Sequence, residues 1–124
     1  MEFDDTRPIY LQIADFMFEQ IITGTWPVET RVPSIRELAG MMQVNPNTAM
    51  RTYSYLQELG VIYNKRGIGY FVAPEGAKRV KRERKKSFFE EELPALFHAM
   101  ETLDITIDEV IKAYKTCRKE RKKE

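Results

Sequence analysis

At 124 residues and 43% hydrophobic content, the chain has material for one domain with a small appendage, and its 31% charged content, mixed in sign, excludes wholesale disorder. The single cysteine, Cys117, excludes an internal disulfide and suits a reducing cytoplasm, where the protein is expected. No apolar run approaches the roughly 20 residues of a membrane span, no secretory leader is expected, and no internal repeat is evident. The net charge of +1 hides an asymmetry. Residues 78–86 hold seven Lys/Arg against one acid, and the segments on either side are net acidic. Between residues 31 and 73, Arg31, Arg36, Arg51, Lys65 and Arg66 cluster with only Glu37 and Glu58 against them. Such local placement, not net charge, is what a phosphate backbone senses at a Debye length of about 8 Å.

In chain order, residues 9–23 predict a first helix. Asp5 or Thr6 can cap it, Pro8 suits its first turn, and Gly24 ends it. Its apolar stripe is Ile9, Ile13, Phe16, Met17 and Ile21, with Leu11 beside it. Ser34 opens a short second helix, and Glu37 three residues on completes a capping-box pattern; the helix should end near Met42. Asn45 caps a third helix with Pro46 at its first position, and Gly60 stops it. Ala49, Thr52, Tyr53, Leu56 and Leu59 recur at helical spacing and should face the core, so Asn47, Thr48, Met50, Arg51, Ser54 and Tyr55 should face outward. Two β-prone runs, 61–64 and 70–73, flank Lys65-Arg-Gly-Ile-Gly69 and predict a hairpin.

Two short helices, a tight turn and a basic hairpin in this order describe a winged helix-turn-helix, a device for placing one helix in the major groove of DNA. The fold class expected is mainly α with a small β-hairpin. The winged domain should occupy residues 1–77 and a two-helix dimerisation and effector-coupling region residues 78–124. The expected DNA contacts are Arg31, Ser34, Arg36, Asn47, Thr48, Arg51 and Tyr55, with Lys65, Arg66, Gly67 and Gly69 in the wing. The Gly67-Ile-Gly69 run is no dinucleotide fingerprint, because it lies between two strands and not between a strand and a helix.

The basic run 78–86 should begin a helix that can add phosphate contacts. Beyond it, Phe89, Leu93, Leu96, Phe97, Met100, Leu103, Ile107, Val110, Ile111 and Tyr114 form an apolar stripe too large for a small domain to bury alone, which predicts a homodimer interface. Pro94 should kink or restart the helix there, Thr106 with Glu109 repeats the capping box, and the last helix should fade after Cys117. The six methionines read as core filler. No catalytic constellation, metal site or cofactor site is expected. His98 is a lone surface histidine, Glu90-Glu-Glu92 reads as a solvated face, and one His with one Cys makes no zinc site. The alternative to a DNA-binding protein is a winged-helix module that docks another protein, which an apolar outward face over residues 47–55 would favour.

Residues 8–73 resemble the DNA-binding domain of the GntR family of bacterial transcription regulators. The resemblance lies in Pro8-Ile-Tyr-Leu-Gln-Ile13, Val32-Pro-Ser-Ile-Arg-Glu-Leu-Ala39, Val44-Asn-Pro-Asn-Thr48, Arg51 and Gly67-Ile-Gly-Tyr-Phe-Val72. The remainder is too short for the large effector domains of most of the family. It is similar instead to the YtrA subfamily, whose members are typically dimeric repressors often encoded beside ABC-transporter genes. The resemblance implies that Arg36, Thr48, Arg51 and the wing around Gly67 contact a double-stranded operator. It names no effector. Many relatives carry Arg where this chain has Pro46 and Met50, so fewer major-groove hydrogen bonds are implied. The usual Pro-Gly ahead of Arg31 reads Val28-Glu29 here, a change of loop shape.

Overall fold

The computed structural model describes residues 2–122, and the chain divides between Arg84 and Lys85 into two compact units. The first unit comprises α1 (Ile9–Ile22), α2 (Ile35–Met42), α3 (Pro46–Glu58), the antiparallel pair β1 (Ile62–Lys65) and β2 (Gly69–Val72), and α4 (Gly76–Ser87) as far as Arg84. Its core joins Ile13, Met17 and Ile21 of α1, Leu38 and Met42 of α2, Tyr53 and Leu56 of α3, and Val61, Ile62 and Val72 of the hairpin.

Local chemistry sets most boundaries. The Ser34 hydroxyl accepts from the Glu37 backbone N–H at 3.0 Å, and the Ser34 N–H donates to the Glu37 carboxylate at 3.1 Å. The Ser34 N–H, then its hydroxyl, holds the Glu37 carboxyl below its usual range. That cap is therefore complete above the ordinary carboxylate pKa and is lost only as pH falls through the lowered value. Asn45 caps α3 by accepting from the Asn47 N–H at 2.8 Å, and Pro46 fills the first position as expected. After α3 the chain closes on Gly60, whose φ is 74°. A Cβ there would collide with the Arg79 side chain, which donates to the Gly60 carbonyl at 2.9 Å.

The start of α1 differs from expectation. Pro8 is its N-cap, without a side-chain cap, and Asp4 turns back on Thr6 instead. Gln12 holds the preceding segment in place by binding the Asp4 and Arg7 carbonyls, each at 2.8 Å. That use makes Gln12 one of the two buried polar residues among those described, the other being Thr52. The apolar stripe also shifts: Phe18 and Ala14 are buried, whereas Ile9 is exposed. Strand β1 lies one residue later than its β-prone run, over Ile62–Lys65, and β2 one residue earlier than its own, over Gly69–Val72. A third chain segment joins them. Val32 donates to Tyr70, Val72 to Thr30 and Glu29 to Val72, so Arg31 bridges Phe71 on the open edge of β2. Glu29 adopts a φ of 64°, so the loop keeps a left-handed residue without a glycine.

Among the methionines, Met17 and Met42 are buried, Met100 is half-buried, and Met41 and Met50 are exposed; Met1 lies outside the described residues. The core-filler reading therefore holds for two of them.

The boundary at Arg84 falls later than the composition shift at residue 78 because α4 is partly core. Val80 is fully buried, and Arg84 donates to the Asp15 carbonyl at 2.9 Å and to Glu19 at 3.1 Å. The second unit runs from Lys85 through a π-helical turn (Phe88–Glu92) into α5 (Leu93–Thr102), then α6 (Ile107–Lys122). The π turn explains how Pro94 is accommodated. Widening the helix just ahead of it relieves the clash with the preceding turn and the loss of a donor, so the helix neither breaks nor restarts with a new cap. Thr106 and Glu109 form the expected reciprocal cap. Helix α6 does not fade at Cys117 but continues to Lys122, where Lys119, Arg121 and Lys122 suit the negative end of the helix dipole.

Candidate nucleic-acid interface

Helices α2 and α3 are separated only by Gln43-Val-Asn45, and Gln43 makes the reversal with a φ of 56°. Tyr53 fixes α3 to its surroundings. Its hydroxyl donates to the Pro33 carbonyl just ahead of α2, and its ring meets Tyr70 of β2 edge-on at 4.9 Å. Burial pushes its phenol far above the ordinary tyrosine range, so it remains a donor. Thr52 adds a 2.8 Å bond to the Tyr10 carbonyl of α1. One helix is thus tied to the start of α2, to the wing and to α1, and the groups expected to meet DNA sit on elements that share this anchor.

Arg31, Arg36, Asn47, Arg51, Lys65, Arg66 and Gly67 are exposed. Among the described residues the ion pairs are Arg7–Asp15, Lys78–Glu75 and Arg84–Glu19, so no carboxylate neutralises the cations of α2, α3 or the wing. Two of these cations rest on aromatic faces instead. The Arg51 guanidinium lies 4.0 Å from the centre of the Tyr10 ring, and the Lys65 ammonium 4.3 Å from that of Phe71. A ring face orders a cation without neutralising it, leaving its donors free for an anion. Arg31 lies across the wing at Gly69, where a Cβ would come within 3.0 Å of its Nε. Gly67 has the positive φ of 80° that the wing turn requires.

Four expected contacts stand differently, among them Gly69, which is half-buried beside the Arg31 side chain. Ser34 is half-buried, with its hydroxyl engaged in the α2 cap. Thr48 is half-buried at the start of α3. Tyr55 departs from the outward face: it is half-buried, it packs against Phe18 and edge-on against Tyr10, and burial raises its phenol. Its aromatic ring closes the gap between α1 and α3, which is a packing role. In the basic run, Arg79 and Arg84 are bonded within the first unit and Lys78 pairs with Glu75, while Lys81, Arg82, Lys85 and Lys86 stay exposed. Tyr10, the platform under Arg51, escaped the sequence reading because a contact across 41 residues leaves no trace in local spacing.

In the second unit no residue of the π turn, α5 or α6 is buried. Of the predicted stripe, Leu93, Met100 and Val110 are half-buried, and Phe89, Leu96, Phe97, Leu103, Ile107, Ile111 and Tyr114 are exposed. Among the described residues there is no cluster of metal-ligating side chains, and no helix is long and apolar enough to cross a membrane.

Known proteins share this arrangement. The profile for bacterial regulatory proteins of the gntR family matches residues 9–72. The HTH-type transcriptional regulator YhcF of Bacillus subtilis is 36% identical over 115 residues, covering 93% of each chain. The HTH-type transcriptional repressor YtrA of the same organism is 37% identical over 91 residues, 73% of this chain and 69% of that one. A GntR-family protein from Bacteroides thetaiotaomicron superposes with a TM-score of 0.79 at 44% identity, over 91% of this chain and 98% of that one. The AraR DNA-binding domain in complex with an operator superposes with a TM-score of 0.54 at 25% identity, over 59% of this chain and 88% of that one. Members of the family are DNA-binding regulators and not enzymes. The extent of the match and the geometry of the helix-turn-helix and wing agree: this chain belongs to the gntR family of bacterial regulatory proteins and is a DNA-binding transcription regulator.

Proposed function

We propose that the protein is a homodimeric, YtrA-like repressor that occupies a palindromic operator and blocks polymerase by its presence there. The observation that carries this reading is the set of exposed cations on α2, α3 and the wing that form no ion pair among the described residues. The N-terminal part of α3 would enter the major groove. Arg51 would read a base edge there, Arg36 and the α3 N-terminus with Asn47 and Thr48 would grip phosphate, and the wing would track the backbone beside it. Met50 is the one large apolar side chain exposed on α3, which speaks against a protein-docking face. The unburied stripe of the second unit supports two-fold pairing, because three helical segments without a single buried residue leave a continuous apolar surface for a partner to cover. The match to the repressor YtrA, whose described role is repression, supports the same direction of control. By the YtrA resemblance, an adjacent transporter operon is the proposed target.

The wing is tested by salt dependence. Replacing Lys65 and Arg66 by Ala should weaken binding to specific and random duplexes alike. Each lost phosphate contact should lower the slope of log affinity against log salt by roughly 0.9. Fluorescence anisotropy across a salt series reads both quantities. An unchanged slope, or a loss confined to one operator base, would remove the wing from the phosphate contacts.

A further inference from the structure

On the exposed face of α3, Asn47, Arg51 and Ser54 offer an amide, a guanidinium and a hydroxyl. Met50 stands among them with half of its surface open. It belongs neither to the core nor to the partly buried apolar residues packed on it, so nothing in the first unit accounts for its apolar side chain there. At i−3 and i+4 from Met50, Asn47 and Ser54 share its ridge, which places Met50 centrally on the polar strip.

A thioether side chain has no hydrogen-bond donor and only a weak acceptor. Guanine presents two acceptors in the major groove, and adenine and cytosine each present a donor; covered by Met50, those groups would lose water with nothing in return. Thymine alone among the four bases presents a C5-methyl group there, and packing it against the methionine Sγ and Cε removes apolar surface from water on both sides. We infer that Met50 is a specificity-determining residue that reads the methyl group of a thymine in each half-site, beside the base edge taken by Arg51. The inference rests on the proposed entry of α3 into the major groove and goes further by naming the base chemistry at one position.

The test uses the full-length protein. A duplex is selected from a random pool. Each thymine of its half-site is then replaced, in both symmetry copies, by deoxyuracil, which removes the methyl group and leaves the pairing intact. Affinities are measured for the natural protein and for Met50→Ala. At one thymine, losing the methyl should weaken the natural protein about fourfold per half-site and about 15-fold for the pair, the worth of burying one methyl group at each. The same replacement should leave Met50→Ala unaffected. An enriched site in which no thymine shows this coupling, or which holds no thymine, overturns the inference while leaving operator binding in place. A selection that enriches no sequence overturns both.

Discussion

Replacing Arg51 by Ala should abolish discrimination between operator and random DNA without unfolding the protein. A bidentate contact to a base edge is worth about 1–3 kcal/mol, so two copies in a dimer would supply about 2–6 kcal/mol of discrimination. The side chain is exposed and forms no ion pair among the described residues, and its packing partner is the Tyr10 ring. Losing it should therefore leave circular dichroism and thermal midpoint close to the natural values. Because Tyr10 orders the guanidinium before DNA arrives, part of the conformational cost of binding is already met in the free protein. Gel-shift titration with operator and random duplexes measures the ratio. A variant that keeps its specificity would take Arg51 out of the interface.

A comparable effect is expected far from the helix-turn-helix. Leu96→Asp or Val110→Asp should convert a dimer into monomers and weaken binding to a complete operator by roughly 10²–10⁴, because the second half-site is no longer presented at high effective concentration. Neither residue is buried within the single chain, so a new carboxylate there burdens pairing and not the fold of one chain. Point substitutions are the right probe. Truncation near Val80 would remove that buried side chain from the first core and strip away Arg84, which ties α4 to α1. Sedimentation equilibrium reads the mass directly. A variant that still sediments as a dimer would place the interface elsewhere and leave the stripe for another partner.

The parts of the fold legible in the sequence were those encoded within a turn or two of chain. Ser34 with Glu37, Asn45 with Pro46, and Thr106 with Glu109 each satisfy backbone donors within three residues, and each stands where the sequence places it. The features that escaped depend on distant partners. Composition changes sharply at residue 78, yet Val80 and Arg84 keep that helix in the first unit as far as Arg84. Tyr55 lies at an outward position by helical spacing alone, but Phe18 and Tyr10 turn it into packing. Pro94 signals a disturbed helix in any sequence, whereas the choice of a π turn over a kink is made by the backbone around it. Of the site, the cations and glycines were legible from type and order. The aromatic platforms beneath Arg51 and Lys65 were not, since cation–ring contacts follow only from the tertiary fold.

Hydroxyl-radical footprinting of the protein on a duplex selected from a random pool tests most directly the central claim that two copies grip a palindrome. Two-fold symmetry predicts two protected half-sites related by a dyad, their centres about 10 base pairs or a multiple of that apart, so that both recognition helices meet the major groove on one face of the duplex. A single protected patch without a dyad would contradict the account, because one chain would then suffice and the apolar stripe would have no role in operator binding.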